Sequence, residues 1–246
     1  IHLAIPGRKG IDDDHVLVYD NTLKTSWTVD LPIYIPCSEQ GVIISHASFQ
    51  NNHAGTNGGA IATPNHYKNT FFQLNNISFL NNTAGSNGGS IHVSGTQTVV
   101  YITDSTFDSN KAANSGGALS IVSSAGLHMF RIKGINNCVT GFGDGGFLFS
   151  KLSTPMLLSV VSIEKSSTNK EGGGGGIAMY SSKIALNKVH FNRCQAGKRG
   201  GGGILLDEGS SAHIFDCQMN DNIATSGGSG GHVRVSGSSL IVYPKN

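Results

Sequence analysis

Charge is scarce in this sequence: Asp, Glu, Lys and Arg together supply 13% of the 246 residues, about half the usual share of roughly 25%. The formal net charge is +2, so nothing points to a polyelectrolyte partner, and nucleic acid is excluded as the expected ligand. No apolar run approaches the ~18 residues a membrane-spanning helix needs, so no direct membrane span is expected. The chain opens on Ile1 rather than Met and shows no signal peptide; it reads as a mature or excised piece of a longer chain. Proline is limited to 6 residues and tryptophan to one, Trp27. Glycine, by contrast, reaches 34, and with abundant Ser, Thr and Asn the mix favours turns and strands over helices. The 38% hydrophobic content suffices for a sizeable core.

What the chain has is a period. "FLNNTAGSNGGSI", residues 79–91, has near copies in "FQNNHAGTNGGAI" from Phe49 and "FDSNKAANSGGAL" from Phe107. Taking the first residue of each copy as a mark, the series runs Phe49, Phe79, Phe107, Ile135, Ile163, Phe191 and Met219, with spacings of 30, 28, 28, 28, 28 and 28. A constant period under drifting letters is what coils stacked in register require. Five places before each mark stand Ile44, Leu74, Ile102, Phe130, Leu158, Leu186 and Ile214, all large and apolar. Two places before, residues are mostly apolar, and one place before they are polar or Gly, which is strand alternation. A two-residue step separates the two apolar columns (Asn75-Asn76 is one example), so a corner is placed there. Three places after the mark stand Asn52, Asn82, Asn110, Cys138, Ser166, Cys194 and Asn222. The asparagines read as a hydrogen-bonded ladder at a second corner. A Gly pair, Gly58-Gly59 and its successors, marks the third corner. The chain is thus expected to be all-β: a right-handed parallel β-helix, a solenoid of about eight three-strand coils with a 28-residue repeat. At ~4.8 Å per coil the rod measures about 40 Å. It forms one domain over 1–246, with irregular N-terminal coils over 1–40 and regular coils over 41–246.

The pairing of "GGAI" with "FxxN" resembles the repeats of the polymorphic membrane proteins, autotransporter adhesins of certain obligate intracellular bacteria. The match is carried by "FQNN…GGAI", "FLNN…GGSI" and "FDSN…GGAL", and by a weaker "FNRC…GGGI". It covers residues from about 42 to 240. The resemblance implies a surface-exposed, β-helical passenger region that works in adhesion.

No catalytic, metal or cofactor set stands out. Asp12 to His15 is the densest acidic stretch, but neighbouring acids in a strand point alternately and do not converge; a solvated turn is expected. Asp207-Glu208 reads as a polar corner. The histidines fall in different columns, apart from His92 and His232, placed in one column five coils apart, so no metal set follows. Lys198 to Gly203, "KRGGGG", lacks the order of a phosphate loop and reads as repeat glycine. Cys138 and Cys194 are placed in one column, two coils apart and beyond disulfide reach; with Cys217 they are expected to be buried thiols, while Cys37 could form a bridge. Two sequons offer Asn76 and Asn81 as glycan acceptors at exposed corners.

The leading expectation is a non-enzymatic extracellular or cell-surface protein, structural or adhesive. Its partners would be itself, head-to-tail in a fibre, adjoining coils of a longer chain, or a host-cell or glycan surface. The alternative is a polysaccharide lyase or glycoside hydrolase on the same fold, which an exposed groove with two or three acids and a basic residue in adjacent coils would favour. An ice- or glycan-binding module ranks last, since no column is consistently Thr.

Overall fold

A computed structural model describes residues 16–18, 41–63, 71–95, 98–123, 126–153 and 155–243. Asp12 to His15, Trp27, Cys37 and most of the N-terminal coils anticipated over 1–40 lie outside the described residues. All described elements are strands, and all pair in parallel with the strand one repeat away, as in Ala47–Gln50 on Ile77–Leu80. Seven complete coils follow one another, with Val16–Val18 paired before the first and Ser239–Tyr243 after the last. The coils, numbered here in chain order, span 41–63, 71–95, 98–123, 126–153, 155–182, 183–210 and 211–238. The fold is a parallel β-solenoid, with one long sheet through the strands that carry the marks, one through the strands after the Gly pairs, and short two-residue strands between them.

Each corner has its own chemistry. The long strand bends at the two-residue step through a left-handed residue in every coil: His46, Asn76, Asp104, Arg131, Val160, Lys188 and Asp216 have φ between 46° and 55°. That one residue flips the alternation and lets both apolar columns face inward. The second corner is also left-handed, at Asn51, Asn81, Ser109, Asn136, Lys165, Arg193 and Asp221. The ladder asparagine is the next residue along. It points inward: Asn82 Nδ2 donates to Asn110 Oδ1 at 3.0 Å and to the Phe49 carbonyl at 3.0 Å, while its Oδ1 accepts from Asn52 Nδ2 at 2.8 Å. Buried amides are thereby paired up and down the axis, which removes their desolvation penalty. The Gly pair makes the third corner. Gly88 sits at φ 66°, and a Cβ on Gly89 would lie 2.0 Å from the Gly117 carbonyl oxygen, so no other residue fits this approach.

The core is a set of columns. Phe79, Phe107 and Phe191 are fully buried. Phe49 and Met219, in the first and last coils, are only partly so. Phe49 stacks on Phe79 with centroids 5.2 Å apart and Phe79 on Phe107 at 4.7 Å; such pairs add about 0.5–1.5 kcal/mol beyond their burial.

Coil 4 departs from the sequence reading. Ile135 is not in the core stack: Phe107 and Ile163 both pair with Gly134, and Ile135 pairs with Asp108 and Glu164, half-exposed. The ladder continues through Asn137, 27 residues after Asn110, and not through Cys138. Five places before the mark the buried residue is Met129 rather than Phe130. From Gly126 on, coil 4 follows coil 3 at 27 residues, and the volume is made up from another column. Phe147, in a column where other coils carry Ser90, Ala118 or Gly176, turns its ring into the space over Gly134 and meets Phe107 edge-on at 5.7 Å. A Cβ on Gly134 would lie 2.6 Å from the Phe147 ring. One large residue is exchanged for another from a different column. The same slip separates Cys138 from the column of Cys194. Cys138, Cys194 and Cys217 are free thiols, and burial pushes all three up, Cys194 to about 12.

The column of His92 runs through Ser120, Phe149, Ala178 and Leu205 to Arg234, not to His232. These side chains leave the third-strand sheet on its outer side, yet His92, Ser120, Ala178 and Leu205 are buried, because the Gly corner lies over the column: a Cβ on Gly174 would be 2.8 Å from the Ala178 Cβ.

Two outcomes are expected from this packing. Gly134→Phe alone should cost about 1–3 kcal/mol by overpacking and Phe147→Ser alone about 3–5 kcal/mol by cavity formation. The double variant restores the pattern of the neighbouring coils and should be more stable than the sum of the two losses implies; strict additivity in urea unfolding would refute the exchange. The second concerns acid. Burial lowers the His92 pKa from 6.5 to about 4, so between those values the unfolded chain holds a proton the folded chain refuses. Stability is full above about 6.5 and is lost as pH falls towards 4, by at most roughly 3 kcal/mol. His92→Leu should flatten that slope in thermal unfolding measured across the range.

Candidate functional site

The sequence offered no catalytic or metal set, and among the described residues no group of three or more His, Cys, Asp or Glu is placed to hold a metal ion. What the structure brings together is a polar cleft of about 310 Å³ on the outer side of the third-strand sheet, across coils 3 to 6. It begins with one letter of the repeat. The residue before the Gly pair is Asn57 in coil 1, Asn87 in coil 2 and Ser115 in coil 3, and in coil 4 it is Asp144. Asn87 donates its backbone N–H to Asn57 Oδ1 at 3.1 Å, and Gly173 donates to Asp144 Oδ1 at 2.6 Å in the same way. The column thus keeps its bond while acquiring a charge.

That charge is compensated by two residues from other coils. Tyr180 Oη donates to Asp144 Oδ2 at 2.6 Å, and Arg199 Nη1 donates to the same oxygen at 2.5 Å and to Tyr180 Oη at 2.8 Å. Arg199 comes from coil 6 and crosses coil 5 to reach Asp144 in coil 4. It can do so because Gly173 lies beneath it: a Cβ there would sit 2.7 Å from the Arg199 Cβ and 2.6 Å from a Leu205 methyl. The glycine run Gly172–Gly176 therefore serves a corner and a crossing side chain at once. Asp144 is buried, with 5% of its side chain exposed, whereas Arg199 is 52% exposed. A buried carboxylate with three donors, one of them cationic, is a stable arrangement. Burial and the adjoining Asp144 push the Tyr180 phenol well above its ordinary range, and Asp144 raises Arg199. Tyr180 is therefore a fixed hydrogen-bond donor and no general base at neutral pH.

The walls are completed by Lys151 and Glu208, whose charged ends are 3.7 Å apart, by Phe149 against Tyr180 at 5.6 Å between centroids, and by Phe142 at the rim. Phe142 is 79% exposed. It sits on a loop that takes seven steps from Asn137 to Asp144, where coil 3 takes five from Asn110 to Ser115.

A second feature occupies the long-strand sheet. Tyr101, His128 and Leu157 are consecutive members of one outward column, and Tyr101 stacks on His128 at 4.9 Å. Phe130, covered by the Arg131 guanidinium at 4.1 Å, and Val160 lie beside them. Tyr101, Phe130, Leu157 and Val160 are each 38–43% exposed. The sequon residues Asn76 and Asn81 are also exposed, and Asn81 Nδ2 donates to Asn51 Oδ1 at 2.7 Å.

Reading by columns missed Asp144, Tyr180, Arg199 and Phe142. One signal was available: "GDGG" puts a carboxylate where the other repeats carry Asn, Ser or Gly. Arg199 lies inside "GKRGGGG", which the structure places at a Gly corner as anticipated.

Residues 46–64, 76–94 and 104–121 match the model of the Chlamydia polymorphic membrane protein repeat. No curated protein and no solved structure matches the chain. Each match starts at a left-handed corner residue, His46, Asn76 or Asp104, and runs through the mark, the ladder and the Gly pair. The chain carries three polymorphic membrane protein repeats on a parallel β-solenoid, and repeats of this kind point to a surface-associated protein. No helix among the described residues is long and apolar enough to cross a membrane.

The Asp144 cluster has a spectroscopic consequence. Tyr180 should ionise above the ordinary value of about 10, so stability from its bond is present below that pH and is lost as pH climbs towards the folded value. In an ultraviolet tyrosinate titration, Tyr180→Phe should remove a phenol that ionises above the ordinary range and lower stability by about 1–3 kcal/mol. Removal of an ordinary phenol instead would place Tyr180 away from Asp144.

Proposed function

We propose that this chain, with its three polymorphic membrane protein repeats, is a non-enzymatic, surface-exposed β-helical protein that works in adhesion. The observation that carries this is the apolar patch on the long-strand sheet. Tyr101, His128 and Leu157 form one continuous outward column across three consecutive coils, with Phe130 and Val160 exposed further along the same strands at the bend. A contiguous exposed patch of this kind marks an interaction surface, whereas scattered apolar residues do not. The partner is the surface of another cell. The same reading has the coil stack continued end to end, by further coils of the chain or by a second copy.

The cleft favours a second reading, a polysaccharide lyase or glycoside hydrolase, because it gathers Asp144 and Lys151 of coil 4 with Arg199 and Glu208 of coil 6. Against turnover stand the three donors already on Asp144 and the raised phenol of Tyr180, which leave Glu208 as the one carboxylate of the cleft open to a substrate. A two-carboxylate mechanism needs both.

Attachment of the purified protein to cultured cells tests the leading reading. Tyr101→Ser with Leu157→Lys should reduce attachment about tenfold or more, the loss expected of a hot-spot cluster, with unfolding little changed. Pectin- and alginate-like polymers incubated with the protein should yield no new reducing or unsaturated ends. Attachment that ignores the double variant, or polymer cleavage lost in Glu208→Gln, would reverse the order of the two readings.

A further inference from the structure

We infer that the cleft across coils 3 to 6 is a binding site for a neutral pyranose residue of a glycan, held through its hydroxyls and one apolar face. The site lies on the third-strand sheet, away from the patch on the long-strand sheet, so the inference does not rest on the adhesive reading.

The open cleft of about 310 Å³ is at the lower end of ligand pockets and has room for a single sugar ring. Charge then selects among small ligands. Lys151 and Arg199 face Asp144 and Glu208, and Asp207 adds a negative charge close enough to act on Tyr180 and Arg199, so the cleft has no excess positive charge to hold an anion. A carboxylate ligand would bring an uncompensated negative charge next to Glu208, and a cationic one would meet Lys151 and Arg199. A neutral ligand adds to neither.

A polyhydroxyl ring needs both donors and acceptors at fixed positions, and the cleft supplies them. Arg199 uses Nη1 on Asp144 and Tyr180; its Nε and Nη2 make no hydrogen bond among the described residues, and the guanidinium is half-exposed. Glu208 offers an acceptor across the cleft. Its 3.7 Å separation from Lys151 is longer than a charge-assisted hydrogen bond of about 2.7–2.9 Å, so each keeps capacity for a hydroxyl. Phe142 at the rim presents a flat ring, the surface on which the C–H face of a pyranose can rest. The set is also rigid. Asp144 is buried and triply bonded, and it holds Tyr180 and Arg199 in place before any ligand arrives, which lowers the ordering cost of binding.

The chemistry is tested by retention of the purified protein on an array of neutral and acidic glycans, followed by titration calorimetry with methyl glycosides of neutral hexoses and of hexuronic acids. Neutral glycans should be retained, and Phe142→Ala and Glu208→Gln should each weaken binding by about tenfold. Both residues are exposed, so thermal unfolding should confirm that the variants remain folded. Leu157→Lys, on the other sheet, should bind neutral glycosides as the parent does. Retention confined to acidic glycans, absence of any retention, or neutral binding that survives both cleft variants would each overturn the inference. The same preparations applied to cells separate it from the adhesive reading. Attachment without glycan retention removes the sugar and keeps adhesion, whereas glycan retention without attachment does the opposite.

Discussion

Every coil of this protein must bond its backbone to the coil before and the coil after it, residue against residue. Interior coils have no other source of partners for their strand N–H and C=O groups. From this requirement the rest follows. Equivalent residues stack in columns, so a column takes only what can lie on a copy of itself: phenyl rings in the mark column, amides in the ladder, bare Cα atoms where Gly89 faces Gly117. The corners must turn within one or two residues without losing a bond, so each uses left-handed backbone. Glycine is needed only at the tightest of them; His46, Asn81 and Lys188 take the same φ elsewhere.

Coil 4 shows how the requirement is met when the letters drift. Gly134 empties the mark column and Phe147 refills the volume from another column, while the intercoil pairing stays unbroken on both sides. The segment before Asn137 is one residue short and the loop that follows is two residues longer than in coil 3; that loop carries Phe142 and ends at Asp144. The irregularity of the core and the chemistry of the surface are thus two effects of one local change. A strict repeat has no site, since it repeats every surface group; a site appears where one coil differs from its neighbours.

The two faces of the solenoid divide along the same line. The long-strand sheet carries Tyr101, His128 and Leu157 in a row on its outer side, suited to a broad contact. The outer side of the third-strand sheet is mostly covered by the Gly corners, and where Gly173 leaves a gap, Arg199 crosses it to a buried carboxylate. A solenoid can in this way hold a broad surface and a small pocket without either disturbing the other.

The parallel solenoid, its period, its corners and most of its inward columns were legible in the amino-acid sequence alone. Contacts in a solenoid lie at a nearly constant sequence offset, so the string of letters displays the packing directly: Phe49, Phe79 and Phe107, or Asn52, Asn82 and Asn110, are neighbours in space because they are 28 to 30 residues apart. The same offset misplaced Ile135 and Cys138, since coil 4 follows coil 3 at 27 residues from Gly126 on, while an apolar residue stands at the expected spacing of 28. The cleft was hidden for a related reason. Asp144, Tyr180 and Arg199 occupy different columns in different coils, 36 and 55 residues from the carboxylate, and no single column contains them. Their meeting depends on the length and direction of side chains that run along the axis, over a glycine, and that geometry exists only once the coils are stacked.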